Sequence, residues 1–301
     1  LYIAVRRATR LKAYGRSKLT MPWDNPERMV PTDCLYSAGV LRMETDMTLP
    51  TLKAPIVLVH GLMGYDQIKI GKWLVADYWP GIPALYRGAG NRVLVVRLSP
   101  TGGVGTRAGQ LRSAIRAAFP GEAVHLLTHS MGGLDSRYMI SRLDMANRVL
   151  SLTTIGTPHR GSPFADWGVR HLQGFLKPFL TFFGISHEAF YDLCTDRCQK
   201  LATEAPDAPG VRYFSVAGSL PAEDFGLQWR AFHDIVHAAD GENDGLVSVA
   251  SARYGEVLDR WEGDHLGLVN WPYNWLRTRK PPPDRLPHYA ELLRRLADAG
   301  F

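Results

Sequence analysis

His125-Leu126-Leu127-Thr128-His129-Ser130-Met131-Gly132-Gly133 reads as an apolar run that stops at a serine and passes into a helix-forming stretch. A serine hydroxyl attacks a carbonyl only when it stands clear of the backbone beside a base, and a sharp strand-to-helix turn presents it that way. Small neighbours are the steric requirement of such a turn. Gly132, two residues after Ser130, fits a G-x-S-x-G pattern, whereas the position two before holds Thr128. Ser130 is therefore the candidate nucleophile, and its surroundings must separate that reading from an ordinary tight turn.

Working outward, Pro55-Ile56-Val57-Leu58-Val59-His60-Gly61-Leu62 is a buried-strand run that ends on a glycine, and Arg92-Val93-Leu94-Val95-Val96-Arg97-Leu98 is a second. Helical segments are expected at Arg107 to Phe119, closed by Pro120-Gly121, and at Gly133 to Leu143 directly after the serine. Strands alternating with helices imply an α/β fold, a mostly parallel sheet flanked by helices on both faces. Active sites of such sheets lie at the carboxyl ends of the strands, where Leu62, Ser130 and Thr157-Pro158-His159 all fall.

Six blocks follow one another in order: His60-Gly61-Leu62-Met63-Gly64, Tyr78-Trp79-Pro80-Gly81-Ile82-Pro83, Thr128 to Gly133, Gly156-Thr157-Pro158-His159-Arg160-Gly161-Ser162, Asn243-Asp244-Gly245-Leu246-Val247 and Asp264-His265-Leu266. Across roughly residues 55 to 270 the chain resembles a bacterial-type triacylglycerol lipase of the α/β-hydrolase superfamily. The resemblance implies the chain order nucleophile, acid, base, and so Ser130, Asp244 and His265. His265 would take the Ser130 proton during attack and return it to the leaving alcohol, and Asp244 would hold its tautomer and stabilise the imidazolium. The oxyanion would be held by the backbone N–H of Met131, after the nucleophile, and by that of Leu62, after the His60-Gly61 pair.

Rivals exist for each role. His60, His129 and His159 are alternative bases, which the resemblance treats as framework. Asp224, Asp234, Asp240 and Asp264 are alternative acids, but only Asp244 stands in an Asn-Asp-Gly turn before a strand-like Leu-Val-Ser-Val run. His233-Asp234-Ile235-Val236-His237 copies the H-x-x-x-H spacing of zinc metallopeptidases and defines a remote alternative enzyme class. It lacks the glutamate, and no third ligand is evident. A non-catalytic binding module on a hydrolase scaffold is a further reading.

At 301 residues with 46% hydrophobic content, the chain can bury one large core. Residues 1–20 contain Arg6, Arg7, Arg10, Lys12, Arg16 and Lys18 and no acid, and the other 29 basic and 29 acidic residues cancel, so the net +6 belongs to that arm. No nucleic-acid motif is present in the body of the protein. The arm opens Leu1-Tyr2-Ile3-Ala4-Val5 before turning basic, the pattern of an anchor's end followed by a polybasic juxtamembrane segment, of a targeting remnant, or of a solvated helix. Three cysteines, Cys34, Cys194 and Cys198, allow at most one internal disulfide, and the helical spacing of the last two does not favour it. A secreted or membrane-associated protein is expected, because lipid substrates are assembled outside the bulk cytosol.

The chain divides into a basic arm and lead-in over 1–54 and an α/β-hydrolase domain over 55–301, with a helical lid insertion at about 163–193. There Leu172, Phe175, Leu176, Phe179, Leu180 and Phe183 form one helical stripe beside the expected site. Phe175, Phe179 and Phe183 are its candidate substrate contacts, and this lid and residues 1–20 are the expected contacts with a membrane or lipid interface. No cofactor is expected. Several relatives hold a calcium partly through an aspartate two residues after the catalytic histidine, where this chain has Gly267. The expected function is hydrolysis of lipid esters through an acyl-enzyme, with a soluble short-chain carboxylesterase or a polyester hydrolase as the alternatives.

Overall fold

The computed structural model describes residues 48–301 apart from 63, 65–66, 71–72, 172–186 and 272–281. Six parallel strands, β1 (Ile56–Val59), β4 (Val93–Val95), β5 (Val124–His129), β6 (Val149–Ile155), β7 (Arg212–Ser219) and β8 (Glu256–Glu262), form one sheet in the order β4-β1-β5-β6-β7-β8. A separate antiparallel pair, β2 (Gln67–Ile70) and β3 (Trp73–Asp77), was not foreseen from the sequence.

The apolar runs expected as strands are continuous because both faces of the sheet are covered. Along β1 the side chains alternate between two cores, as strand geometry requires. Val57 and Val59 pack with Leu111, Ile115 and Met139 beneath α2 (Val104–Ala118) and α3 (Met131–Arg142). Ile56 and Leu58 pack on the other face with Tyr86 of α1 (Ile82–Gly88) and with Tyr289, Leu293 and Leu296 of the C-terminal helix Leu286–Asp298. Leu292, Leu293 and Leu296, which share one face of that helix, are buried. Leu49 and Leu52 extend this second core ahead of β1.

Strand order sets the position of the site. The chain runs from β1 outward to β4 and then returns across β1 to β5, so the connections diverge between β1 and β5. Such a switch point leaves a crevice at the carboxyl ends of the two strands. Val59 pairs with Thr128 across that boundary, so residues 60–62 and Ser130 emerge side by side.

The Leu246-Val247-Ser248-Val249 run is not a strand. The Asp244 carboxylate accepts the Leu246 and Val247 N–H groups, Asn243 bridges Ser248, and Ser248 Oγ caps the short helix Val249–Ala252 by accepting the Ser251 N–H. Side-chain oxygens capture donors that a strand ladder would need. Cys194 and Cys198 are buried free thiols, both pushed up to about 12 by burial. Among the described residues no helix is long and apolar enough to cross a membrane.

Candidate active site

Ser130 joins β5 to α3 with φ 55° and ψ −131°, a positive φ that a non-glycine residue adopts only at a cost of about 1–3 kcal/mol. The surroundings hold it there. Its N–H donates to the Ile155 carbonyl at 3.0 Å, and its carbonyl accepts from the Thr157 hydroxyl at 2.8 Å and the Gly133 N–H at 3.1 Å. A Cβ on Gly132 would lie 2.8 Å from the Val59 carbonyl oxygen, and one on Gly133 would overlap the Thr157 side chain, so α3 leaves the turn only with glycine at both positions. Thr128, which departs from the usual glycine, sits within β5 with its buried hydroxyl donating to the Thr153 carbonyl at 3.3 Å.

The structure brings Ser130, His265 and Asp244 together. Ser130 Oγ lies 2.9 Å from His265 Nε2, and His265 Nδ1 lies 2.7 Å from Asp244 Oδ2. Since a carboxylate only accepts, Nδ1 carries the proton and Nε2 is the acceptor for the serine hydroxyl. Asp244 is buried, and its other oxygen accepts the Leu246 N–H at 3.0 Å and the Val247 N–H at 2.8 Å. The His265 N–H donates to the Asp244 carbonyl at 2.9 Å, which ties the two loops together.

The residues expected to supply the oxyanion donors stand next to Ser130 in chain or in space: Met131 follows it, and Gly61, which precedes Leu62, lies against its side chain. Met131 is the first residue of α3, where an N–H has no intrahelical acceptor and the helix dipole favours negative charge. The Gly61 carbonyl lies 2.9 Å from His60 Nδ1 and accepts from the Gly64 N–H at 3.3 Å. A peptide unit is planar and trans, so this pinned carbonyl turns the Leu62 N–H the opposite way. Beneath the loop lies an interaction that the sequence reading missed. Buried Arg107 donates to Asp135 Oδ2 at 2.8 Å, to the Ser99 carbonyl at 2.6 Å and to the His60 carbonyl at 2.6 Å. Burial raises the Asp135 carboxyl to about 7 against the pull of that guanidinium. Nothing in the local pattern marks two charges 28 positions apart as partners.

The rival residues are engaged elsewhere. His60 Nε2 accepts the Leu98 N–H at 3.0 Å, and His159 stacks on Tyr254 with 4.2 Å between centroids and pairs with Thr154 Oγ1 at 3.0 Å. Burial, with Arg137 and Arg160 nearby, drives the His159 pKa down. Asp234 meets His233, Asp240 accepts from Ser248, and Asp264 accepts from the Gly267 N–H. His233 and His237 stack at 5.3 Å on the helix Leu227–Asp240. Among the described residues, no cluster of three potential metal ligands includes them. Among the described residues the one group of potential ligands close enough to hold an ion is Asp166, Cys194 and Asp196, and both Asp166 oxygens already accept from Thr195. Phe175, Phe179 and Phe183 lie outside the described residues.

No family model matches the chain. It is similar to triacylglycerol lipase 2 of Saccharomyces cerevisiae, with 29% identity over 264 residues that span 73% of this chain and 81% of that protein. A triacylglycerol lipase of Pseudarthrobacter phenanthrenivorans is 40% identical over 126 residues, 40% of this chain and 38% of that one. In structure, the mature form of a Bacillus licheniformis lipase superposes with a TM-score of 0.61 at 24% identity, covering 83% of this chain and 94% of the other.

Proposed function

We infer that this chain, a bacterial-type lipase of the α/β-hydrolase superfamily by its sequence likeness and its fold, hydrolyses carboxylic esters of lipids through an acyl-enzyme on Ser130. The observation that carries the reading is the hydrogen-bonded run from the strained Ser130 through His265 to the buried Asp244. In the first step Ser130 Oγ attacks the ester carbonyl while His265 Nε2 takes its proton. The oxyanion forms between the Leu62 and Met131 N–H groups, and His265 then protonates the departing alcohol. Water, deprotonated by the same nitrogen, attacks the acyl-serine, and His265 returns that proton to Ser130 Oγ as its bond to the acyl carbon breaks and the acid leaves. Asp244 keeps its charge beside the imidazolium throughout.

No step of this scheme calls on a metal or cofactor. The insertion at about 163–193, with Phe175, Phe179 and Phe183 on its stripe, is the element assigned to the lipid interface, and the support for this is the sequence pattern. The basic residues of segment 1–20 suit an anionic membrane surface, and a lipid substrate suits a secreted or membrane-associated protein. The test is hydrolysis of emulsified long-chain triacylglycerol against a soluble short-chain ester, with Ser130→Ala as the blank. Turnover of the emulsion by the wild type alone supports the reading. Turnover of the soluble ester with none of the emulsion would make the protein a plain esterase.

A further inference from the structure

His129 lies immediately before the nucleophile, wholly buried, and takes no part in the acyl-transfer scheme. Its Nε2 is 3.0 Å from the carbonyl oxygen of His265, and its Nδ1 is 2.7 Å from the Tyr78 hydroxyl. That hydroxyl lies 2.8 Å from the Gly61 nitrogen, whose N–H donates to it. The roles of all the atoms follow. A carbonyl oxygen only accepts, so His129 carries its proton on Nε2, and Nδ1 is left as an acceptor. Tyr78 must then donate to Nδ1 while its oxygen accepts from Gly61.

The result is a single directional chain: Gly61 N–H to Tyr78, Tyr78 O–H to His129, His129 N–H to the His265 carbonyl. One end is the loop that precedes the Leu62 N–H. The other is the backbone of the residue that serves as base. We propose that Tyr78 and His129 are positioning residues that hold the oxyanion loop and the His265 loop at a fixed mutual distance. Their hydrogen bonds go to neither Ser130 Oγ nor the His265 ring nitrogens, and the proposal rests on the acyl-transfer reading of Ser130 and His265.

The surroundings suit this role. Three rings lie against the pair: His265 on His129 at 4.5 Å between centroids, His60 on Tyr78 at 5.5 Å, and Trp79 on both at 5.5 and 6.4 Å. The charged and titratable groups facing the chain are His265 from its loop, His60 from the end of β1 and Arg107 from α2. Burial and then the neighbouring His265 drive the His129 pKa far down, and burial drives that of Tyr78 up, so both groups stay neutral. A neutral His129 is what catalysis requires. His265 becomes cationic during attack, and a second cation at ring-contact distance would oppose it. The sequence signal was present in the Tyr78-Trp79 block, but their distance along the chain from His129 hides the partnership.

The test separates positioning from mere packing. Tyr78→Phe keeps the ring and removes the hydroxyl. It should lower kcat on a soluble ester by up to about 100-fold, the cost of displacing reacting groups by an ångström, with KM little changed. His129→Leu should do the same, and the double variant Tyr78→Phe/His129→Leu should be no worse than either single one, because both cut one chain. His129→Gln, whose amide offers an NH₂ group to donate and a carbonyl oxygen to accept, should restore most of the turnover. Multiplying losses, or an unchanged kcat in folded Tyr78→Phe, would overturn the proposal.

Nitrogen NMR of the wild-type imidazoles gives a second readout that needs no variant. It should find His129 neutral and protonated on Nε2 between pH 5 and 9 (roughly the span in which an ordinary histidine titrates). A proton on Nδ1, or titration near neutrality, would overturn the chain's direction. Failure of the acyl-transfer reading itself looks different: Ser130→Ala would then hydrolyse ester as well as the wild type does.

Discussion

A Cβ on Gly61 would lie 2.7 Å from Cβ of Ser130 and 3.2 Å from its Oγ. The glycine of the loop proposed to hold the oxyanion is thus required by the Ser130 side chain itself. Gly61→Ala must push either the loop or the serine aside, since real Cβ contacts are essentially never this short. We expect kcat to fall on the order of 100-fold, because displacement by an ångström at reacting atoms costs that much. The global fold should survive, with melting measured alongside turnover. Wild-type kinetics in Gly61→Ala would mean that the loop does not lie against Ser130.

Asp244 uses both carboxylate oxygens, one on His265 and one on two backbone N–H groups. Asp244→Asn preserves the volume but can present an NH₂ to Nδ1, which would force the proton of His265 onto Nε2. The base would then donate where it must accept. The expected loss in kcat is on the order of 10⁴-fold, the scale of such a tautomer error in a serine triad. A variant within tenfold of wild type would assign the acid to another residue.

His125 lies far from the chemistry, on β5, with Nδ1 2.8 Å from Ser151 Oγ and its ring against Phe301. Burial lowers its pKa to about 4. A depressed histidine contributes stability that is complete above the unfolded value of roughly 6.5 and is lost as pH falls toward the folded value. The melting temperature should therefore drop between pH 6.5 and 4, and His125→Gln should make that drop shallower while leaving ester turnover at pH 8 unchanged. An equally steep acid profile in the variant would show that other groups carry it.

The loop after His265 is pinned by protein groups. The Gly267 N–H donates to Asp264 at 2.8 Å, Tyr289 donates to the Leu268 carbonyl at 2.9 Å, Trp271 donates to the Asp77 carbonyl at 3.0 Å, and Asn270 accepts the Arg285 N–H at 2.7 Å. Gly267 itself offers no carboxylate. Exhaustive chelation should leave the melting temperature and turnover unchanged. A fall in melting temperature on chelation, reversed by calcium, would reveal a bound ion that contributes to stability.

How much of this was legible in the sequence depended on the range of each interaction. Strands β1 and β5 announced themselves because burial on both faces favours an apolar run, as at Ile56–Val59 and Val124–His129, whereas β4, half-buried at the edge of the sheet, was legible from its Val-Leu-Val run. The elbow at Ser130 was legible because its steric requirements fall on adjacent residues. The Val247 region read wrongly as a strand, since alternation cannot reveal that Asp244 takes the backbone donors. Arg107 with Asp135, and Tyr78 with His129, were invisible for the opposite reason: each partner looks ordinary in its own segment, and only the return of the chain from β4 to β5 brings them together.

The central claim is that Ser130 is the nucleophile. Its most direct test is labelling with an active-site phosphonate ester, followed by peptide mass analysis and paired with ester turnover by Ser130→Ala. The account predicts one equivalent of phosphonate on Ser130, none on the alanine variant, and a folded variant whose hydrolysis is reduced by several orders of magnitude. Modification at another residue, or hydrolysis retained by Ser130→Ala, would contradict it.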